Sequence, residues 1–288
     1  MYLRRRTWPS MKNSRNIPLH TLPALPFLAS DQRTAFGEHW PSHRIDFYAI
    51  VWFTEDSGVH FIDFESYPIR ENTVYLIGRN QVHSIPSEVL PKAKTIVFAA
   101  SFFHRIEEPF LRQLFLPFSN EGILIPDQMH EALVNLFNLI VLENKGHNEL
   151  KLLLKYTTAF LWQLYRFASH QLSLPAGEDS RIIQLFQLLE THYTEERSAS
   201  FYAQQIGLTP KRINEILREK TGMTISQLLY QLLLIEAKRE LFHGNLPIKE
   251  IAYQLGFADQ SYFARFFKKH TGITPEEFRE KESLRFRV

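Results

Sequence analysis

The sequence contains no cysteine and no long apolar run. Without cysteine, disulfide bonds, thiolate metal sites and cysteine nucleophiles are excluded, and the chain suits a reducing compartment such as the cytoplasm. No segment reaches the roughly 18 to 20 uninterrupted apolar residues that a membrane-spanning helix needs, so we expect no membrane partner. Residues 1–10 are basic, but no apolar stretch follows them. We therefore do not interpret them as a signal peptide, and Met11 is an alternative start to Met1.

The sequence also has little excess of positive over negative charge. The 288 residues carry a formal net charge of +2, and residues 180–288 hold 16 Lys and Arg against 13 Asp and Glu. So mild an excess attracts nucleic acid only weakly, and any affinity for DNA must depend on where the cations are placed. The sequence also shows no Gly-rich phosphate loop and no acid/base pair. We therefore expect no catalytic residue and no cofactor.

What the sequence does contain is an internal repeat. Residues 202–209 (YAQQIGLT) and 251–258 (IAYQLGFA) share Ala, Gln and Gly at an offset of 49, and the T-G-x-T segments 221–224 and 271–274 align at an offset of 50. A repeat of this length indicates one supersecondary unit used more than once. Each copy has the pattern short helix, glycine turn, longer helix. The pattern predicts two helix-turn-helix units.

Local signals mark the boundaries of these helices. Gly207 and Gly256 are predicted to end the short helix of each copy. Thr209 is an N-cap with Pro210 at the first helical position, and Asp259 is the equivalent cap in the second copy.

Two further helices begin with capping boxes. One box pairs Thr224 with Gln227, and the other pairs Thr274 with Glu277. The first box opens a long helix over residues 225–242 that ties the two units together. Such a tie sets the distance between two groove-reading helices, which must lie about 34 Å apart to use one face of B-DNA.

The longer helix of each unit has two faces of different character. The apolar residues predicted to be buried are Ile213, Ile216, Leu217, Phe263, Phe266 and Phe267. The outward residues are Lys211, Arg212, Asn214, Glu215, Arg218, Gln260, Ser261, Tyr262, Arg265, Lys268 and Lys269. Such outward side chains suit base edges and phosphates, so these are the predicted recognition helices. Arg197 is interpreted as a surface residue.

Residues 248–279, from I-K-E-I-A-Y-Q-L-G-F-A-D-Q to T-G-I-T-P-E-E-F-R, resemble the DNA-binding domain of AraC-type transcription regulators. The resemblance implies that both units enter adjacent major grooves of double-stranded DNA, and that RNA polymerase is a partner. The base readers it implies are Lys211, Asn214, Gln260, Ser261 and Arg265. The phosphate contacts are Arg212, Arg218, Lys268 and Lys269.

Glu215 departs from this pattern, since a carboxylate repels phosphate. It can accept a hydrogen bond from cytosine N4, or it can pair with Arg218 or Arg212 on its own helix.

The amino-terminal half has a different sequence pattern. Aromatic and β-branched runs at residues 47–54, 59–64, 74–77, 82–85 and 95–100 alternate with turn signals, one of them near residues 68–73. Together with the segments 43–53 and 81–83, they resemble the cupin-like barrel that often precedes an AraC-type domain. We therefore expect an α+β chain of two domains. The divisions are a tail (1–29), a cupin-like sensing and dimerisation domain with a helical extension (30–171), a linker (172–180) and the DNA-binding domain (181–288).

Helical periodicity within this half predicts helices at residues 127–142 and 150–169. The second carries a near-heptad stripe: Leu150, Leu153, Leu154, Thr157, Leu161 and Leu164. Two explanations of the stripe stay open at this stage. It packs on the protein's own barrel, or it forms a homodimer contact.

The histidines of this half raise the question of a metal. Metal-binding cupins present a His-x-His pair, a following Glu and a later His, but here Ile45 replaces the second histidine after His43, and His83 stands nearly alone. We expect no metal, and we interpret His60 as a turn or surface residue. An alternative role for His43, Arg44 and Asp46 is to orient a polar small-molecule ligand above an interior lined by residues such as Trp52. A plain packed barrel is the other explanation.

Three functional hypotheses follow. The leading one is a cytoplasmic, sequence-specific transcription regulator that dimerises and senses a small molecule. The second is a cupin-type metal enzyme fused to a DNA-binding domain. The third is a ligand-independent regulator controlled by a protein partner.

Overall fold

The computed structural model describes residues 19–22, 26–31, 42–87, 89–118, 120–171, 180–243 and 246–285. Within them, all the strands and four helices lie before residue 172, and seven helices follow residue 179. This is the α+β, two-region division expected from the sequence. The predicted linker falls on residues 172–179, outside the described residues, and on Ser180, which begins a helix.

Ten short strands among the described residues form two five-stranded sheets. One has the order β1-β3-β8-β5-β6 and the other β10-β7-β4-β9-β2. All pairs are antiparallel except β1 with β3. The strands are Leu19–His20 (β1), Phe27–Ser30 (β2), His43–Ile45 (β3), Tyr48–Phe53 (β4), Val59–Ile62 (β5), Glu65–Pro68 (β6), Thr73–Ile77 (β7), Val82–Ser84 (β8), Ala93–Phe98 (β9) and Ile123–Leu124 (β10).

Strand β4 shows how the layers are built. Its side chains alternate between two apolar cores, because successive residues of a strand point to opposite faces. Ala49 and Phe53 face the core between the two sheets, whereas Ile50 and Trp52 face a second core beneath helices. The sequence run is apolar throughout because both faces of the strand are covered.

Three sequence expectations need correction. Neither sheet closes on itself among the described residues, so the expected barrel is a two-sheet sandwich there. Part of the predicted tail, residues 1–29, belongs to the fold, since β1 pairs with β3 and β2 pairs with β9. Strand β6 was missed because its polar sequence, E-S-Y-P, has the composition of a turn; it is an edge strand, where proline and exposed polar residues are tolerated.

The helices of the amino-terminal region cover one sheet. They are Ala100–Phe103 (α1), Pro109–Arg112 (α2), Asp127–Lys145 (α3) and Leu150–Gln171 (α4), with a 3₁₀ turn at Gln113–Phe115. The stripe on α4 packs against the protein's own sheet: Leu153, Thr157, Leu161 and Leu164 are all 0% exposed. Of the two explanations of this stripe, the structure supports packing within the domain.

The carboxy-terminal helices follow the predicted repeat. They are Ser180–His192 (α5), Ala199–Gln205 (α6), Pro210–Thr221 (α7), Ile225–His243 (α8), Ile248–Gln254 (α9), Gln260–Thr271 (α10) and Pro275–Arg285 (α11). Helix α8 belongs to two cores in turn. Its first half, including Leu228 and Leu232, packs with α5, α6 and α7. Its second half, including Leu233 and Leu241, packs with α9, α10 and α11.

The two regions meet through a buried ion pair. Asp63, in the turn between β5 and β6, and Arg239, on α8, are each only 4% exposed. Arg239 donates from Nε to Asp63 Oδ1 at 2.8 Å and from Nη2 to Oδ2 at 2.7 Å. The side chain of Gln81 and the backbone N–H of Val82 also donate to Asp63. Beside the ion pair, Phe64 inserts its ring between Phe242 and Phe278.

The ion pair yields a stability prediction. Asp63→Asn keeps the shape but leaves the buried guanidinium of Arg239 short of a counter-charge, and should lower the free energy of unfolding by about 3 kcal/mol. Urea unfolding at pH 7 measures this. Adding Arg239→Met to Asp63→Asn should recover stability, since the buried charge is then gone.

The control is Asp46→Asn, which breaks the exposed pair with Arg79 and should change stability by less than about 1 kcal/mol. Equal stability of Asp63→Asn and the native protein would contradict the prediction.

Candidate nucleic-acid interface

Helices α7 and α10 begin as predicted. The Thr209 hydroxyl accepts a hydrogen bond from Arg212 N at 3.2 Å, with Pro210 at the first helical position. The Asp259 carboxylate accepts from Tyr262 N at 2.7 Å. Each helix has 12 residues and ends at a left-handed glycine. The two helices are therefore matched in length and in both caps.

The turns that precede these helices are also equivalent. Gly207 and Gly256 have φ values of +69° and +74°, a left-handed conformation that glycine adopts without strain. The residue after each glycine donates its backbone N–H to a buried alanine: Leu208 N to Ala203 O, and Phe257 N to Ala252 O, both at 2.9 Å. The sequence repeat is a repeat of structure, and both units are helix-turn-helix motifs.

The apolar and polar faces fall where the sequence predicts them. Ile213, Ile216, Leu217, Phe263, Phe266 and Phe267 are buried. Eight of the predicted DNA contacts are exposed: Lys211, Arg212, Arg218, Gln260, Ser261, Arg265, Lys268 and Lys269. Each longer helix thus presents a polar, cation-rich face to solvent, the composition that contacts to DNA bases and phosphates require.

Asn214 differs from the other predicted base readers. Its side chain is half-buried, and its Oδ1 accepts a hydrogen bond from Ile225 N at 3.0 Å. This bond helps to cap the start of α8, so only the Nδ2 group stays available to a base. Contact between residues 11 apart across a turn leaves no local sequence signal.

Glu215 pairs with Arg212 rather than Arg218. The Arg212 Nη1 to Glu215 Oε2 distance is 3.3 Å, and both side chains are largely exposed. An exposed pair of this kind contributes less than about 1 kcal/mol, so a phosphate can displace it. Arg265 is exposed, with its guanidinium 6.0 Å from the ring centre of the exposed Tyr262.

Arg197 is not the surface residue expected from the sequence. It is half-buried, donates from Nη2 to Leu255 O at 2.7 Å, and lies 4.1 Å from the ring centre of Phe257. These partners are about 60 residues away along the chain, so only the tertiary fold reveals the contact.

The four candidate ligand residues of the amino-terminal region do not converge. His43 faces the interior of the sandwich beside His83. Arg44 lies near the α8 carboxylates of Glu240 and Glu236, and Asp46 pairs with Arg79. Trp52 is buried in the other core, against α3 and α4. One polar ligand cannot contact all four.

The structure instead gathers histidines inside the sandwich. His43 and His83 rings lie 4.1 Å apart, and His20 and His43 rings 4.8 Å apart. His60, expected at the surface, is 1% exposed, and its Nε2 lies 3.3 Å from His83 Nδ1. Among the residues described, no group of three or more His, Asp or Glu is arranged to hold a metal ion.

Burial sets the charge state of this cluster. Desolvation, together with the nearby His43, lowers the pKa of His60 to about 3. Desolvation and the neighbouring histidines likewise hold the pKa of His83 well below its ordinary value. Both rings are therefore neutral at pH 7. In the part of the chain that the structure covers, no helix is long and apolar enough to cross a bilayer.

The chain is similar to several known proteins. Residues 202–281 match the family described as a helix-turn-helix domain. The chain is 25% identical over 253 residues to the HTH-type transcriptional activator RhaR of Mannheimia succiniciproducens, covering 87% of this chain and 91% of the relative. It is 29% identical over 164 residues, 56% of each chain, to the arabinose operon regulatory protein of Escherichia coli K12. The solved structure of ToxT from Vibrio cholerae O395 aligns with 88% of this chain and 97% of its own at 18% identity, with a TM-score of 0.45.

The two matched helix-turn-helix units and these relatives define a DNA-binding transcription regulator. The helix-turn-helix match and relatives such as the arabinose operon regulatory protein support a regulator of the AraC type.

The histidine cluster predicts a pH dependence of stability. Because folding lowers the pKa of His60 and His83 below the ordinary value of about 6.5, the unfolded chain binds more protons in mild acid. Stability should therefore be full above pH 6.5 and decline as the pH falls, with His60 alone contributing a loss of about 2 kcal/mol at pH 5 and His83 adding to it.

Urea unfolding between pH 5 and 7 measures the slope. The double variant His60→Gln, His83→Gln should flatten it, while His104→Gln, at an exposed position, should leave it as in the native protein. A double variant with the native slope would show that these histidines do not control it.

Proposed function

We propose that this regulator binds a specific DNA sequence by placing α7 and α10 in two adjacent major grooves. The observation that carries the proposal is the pair of equivalent units, each with a capped helix and an exposed cation-rich face, on one shared helix, α8. Base contacts come from Lys211, Gln260, Ser261 and Arg265, and from Asn214 through its Nδ2. Phosphate contacts come from Arg212, Arg218, Lys268 and Lys269.

The amino-terminal region is proposed to form the homodimer contact. Its outer helical surface exposes leucines on both long helices: Leu139 and Leu142 on α3 are 45% and 67% exposed, and Leu152 on α4 is 37% exposed. Exposed apolar side chains on neighbouring helices favour association with a second copy. Dimerisation would bring two DNA-binding domains to one operator and raise the overall affinity.

The same region is proposed to sense a small-molecule effector within the two-sheet sandwich, near the histidine cluster. Control by a protein partner without an effector is the competing form of this hypothesis, and a ligand-dependent rise in melting temperature would argue against it. We further propose that the protein acts on RNA polymerase in the cytoplasm and is not an enzyme; the naming of the RhaR and RhaS relatives as transcriptional activators agrees with a role in transcription.

Two variants of α10 test the roles of its cations. Arg265→Ala removes a donor fork that can grip guanine O6 and N7, and should weaken specific binding by about 1 to 3 kcal/mol while changing binding to random DNA much less. Lys268→Ala should weaken both kinds of binding together and reduce the salt dependence by about one phosphate contact. Fluorescence anisotropy with a duplex selected from a random pool, over a range of salt, measures both.

If Arg265→Ala lowers specific and non-specific affinity by the same factor, Arg265 contacts phosphate. Sequence reading then belongs to Gln260, Ser261 and the first unit's Lys211 and Asn214.

The dimer surface has its own test. Leu142→Glu places a charge on the exposed apolar surface of α3, and should weaken self-association in sedimentation equilibrium by about tenfold or more. Val89→Glu is the matched control, since Val89 is 64% exposed but lies in the loop before β9. Loss of association in both variants, or in neither, would place the dimer contact elsewhere.

A further inference from the structure

The two helix-turn-helix units touch each other directly, apart from their shared helix. A Cβ atom added at Gly256, in the turn of the second unit, would lie 1.9 Å from the backbone oxygen of Thr194, which follows α5 of the first unit. The equivalent glycine of the first unit, Gly207, has the same left-handed backbone but nothing within 4 Å of its added Cβ. The repeat is therefore broken at one point, where the units approach closely.

Arg197 reinforces this approach. Its Nη2 donates to the carbonyl of Leu255 at 2.7 Å, and its guanidinium carbon lies 4.1 Å from the ring centre of Phe257. The carbonyl and the ring flank Gly256 on either side. Tyr193 completes the contact, since its ring packs against the cores of both units. We call residues Tyr193, Thr194, Arg197, Leu255, Gly256 and Phe257 the inter-unit joint.

Each side of the joint is attached to a recognition unit. Phe257 packs on α10, with ring centres 5.7, 5.2 and 5.1 Å from those of Tyr262, Phe263 and Phe266. On the other side, the carbonyl of Glu196, next to Arg197, accepts a hydrogen bond from Tyr202 Oη of α6 at 2.7 Å. A displacement at the joint would therefore move α10 relative to the first unit.

If α8 alone joined the two units, rotation of one unit against the other would not be restrained. The first and second units form separate apolar cores along α8, so that helix sets their separation along its axis. Bending or twisting of the helix would still rotate one unit against the other. A second contact away from the axis removes that rotation, and the joint is such a contact.

We propose that the inter-unit joint sets the orientation of α10 relative to α7 and so determines which spacing of the two DNA boxes the protein accepts. Arg197 and Gly256 are positioning residues: neither needs to touch DNA. The proposal rests on the proposed two-groove function. It predicts that damage to the joint removes the benefit of binding both boxes together while each unit still recognises its own box.

The experiment uses the full-length protein and a duplex selected by it from a random pool, with single-box versions in which one or the other half is scrambled. Fluorescence anisotropy gives the affinity for all three duplexes. Gly256→Ala and Arg197→Ala should each lower the affinity for the two-box duplex by about tenfold or more, and that for each single-box duplex by less than about twofold. Gly207→Ala is the matched control: it brings the same backbone strain without the clash, so the preference for two boxes should stay native.

Arg197→Lys should keep part of the preference, since it retains a donor for the Leu255 carbonyl but not the planar stacking on Phe257. Duplexes with one base pair inserted between the boxes add a second readout, because the joint variants should discriminate less against them than the native protein does. If circular dichroism shows that Gly256→Ala fails to fold, the result for Arg197→Ala decides whether the joint positions the helices.

The experiment distinguishes failure of the two-groove function from failure of the proposal about the joint. If the native protein binds one box as tightly as two, the two-groove function itself is wrong. If the native protein prefers two boxes but both joint variants keep that preference and the native spacing dependence, the joint does not position the helices.

Discussion

The buried guanidinium of Arg239 is the charge on which the arrangement of the whole molecule depends. Burial disfavours its charge, but the carboxylates of Asp63 and Glu236 outweigh that effect and raise the pKa of Arg239 above its ordinary value. One of these partners belongs to the sandwich and the other to α8 itself. Because a buried charge short of its counter-charge is costly, the sandwich can cover α8 at Arg239 only with the turn of Asp63 against it. Both DNA-binding units are built on α8, so the amino-terminal region helps to hold the scaffold of both.

Further contacts around this ion pair define how the regions meet. Lys238 lies 3.6 Å from Glu65, and Arg44 faces Glu240. Apolar contacts add to it: Phe64 lies in the core of the second unit, and Phe118 packs against Phe186 of α5. The φ of Phe64, +76°, is a conformation that costs about 1 to 3 kcal/mol for a residue with a side chain. Charge pairing of this kind favours a specific orientation more than a strong attachment. Of the residues first considered as ligand contacts, Arg44 serves this interface.

The candidate DNA interface was predictable because its signals are local. Caps such as Thr209 and Asp259 act on N–H groups three residues away, and helical spacing decides which side chains face outward, so sequence order alone suffices. Asn214 and Arg197 were not predictable in the same way. Each is engaged by a backbone group brought near by folding, and polar residues of their type are more often exposed.

The sequence by itself determined the two helix-turn-helix units, their caps, the exposed cation-rich helices and the α+β division, since each follows from periodicity and short-range hydrogen bonds. Only the tertiary structure decided that the strands, as far as the described residues show, form a two-sheet sandwich that does not close, because closure depends on pairing between distant strands. It also decided that His60 is buried and that the α4 stripe faces inward, since burial depends on what packs above a face. The joining of Asp63 to Arg239, across 176 residues, is likewise a property of the fold, because no local pattern selects one carboxylate for one guanidinium at that distance.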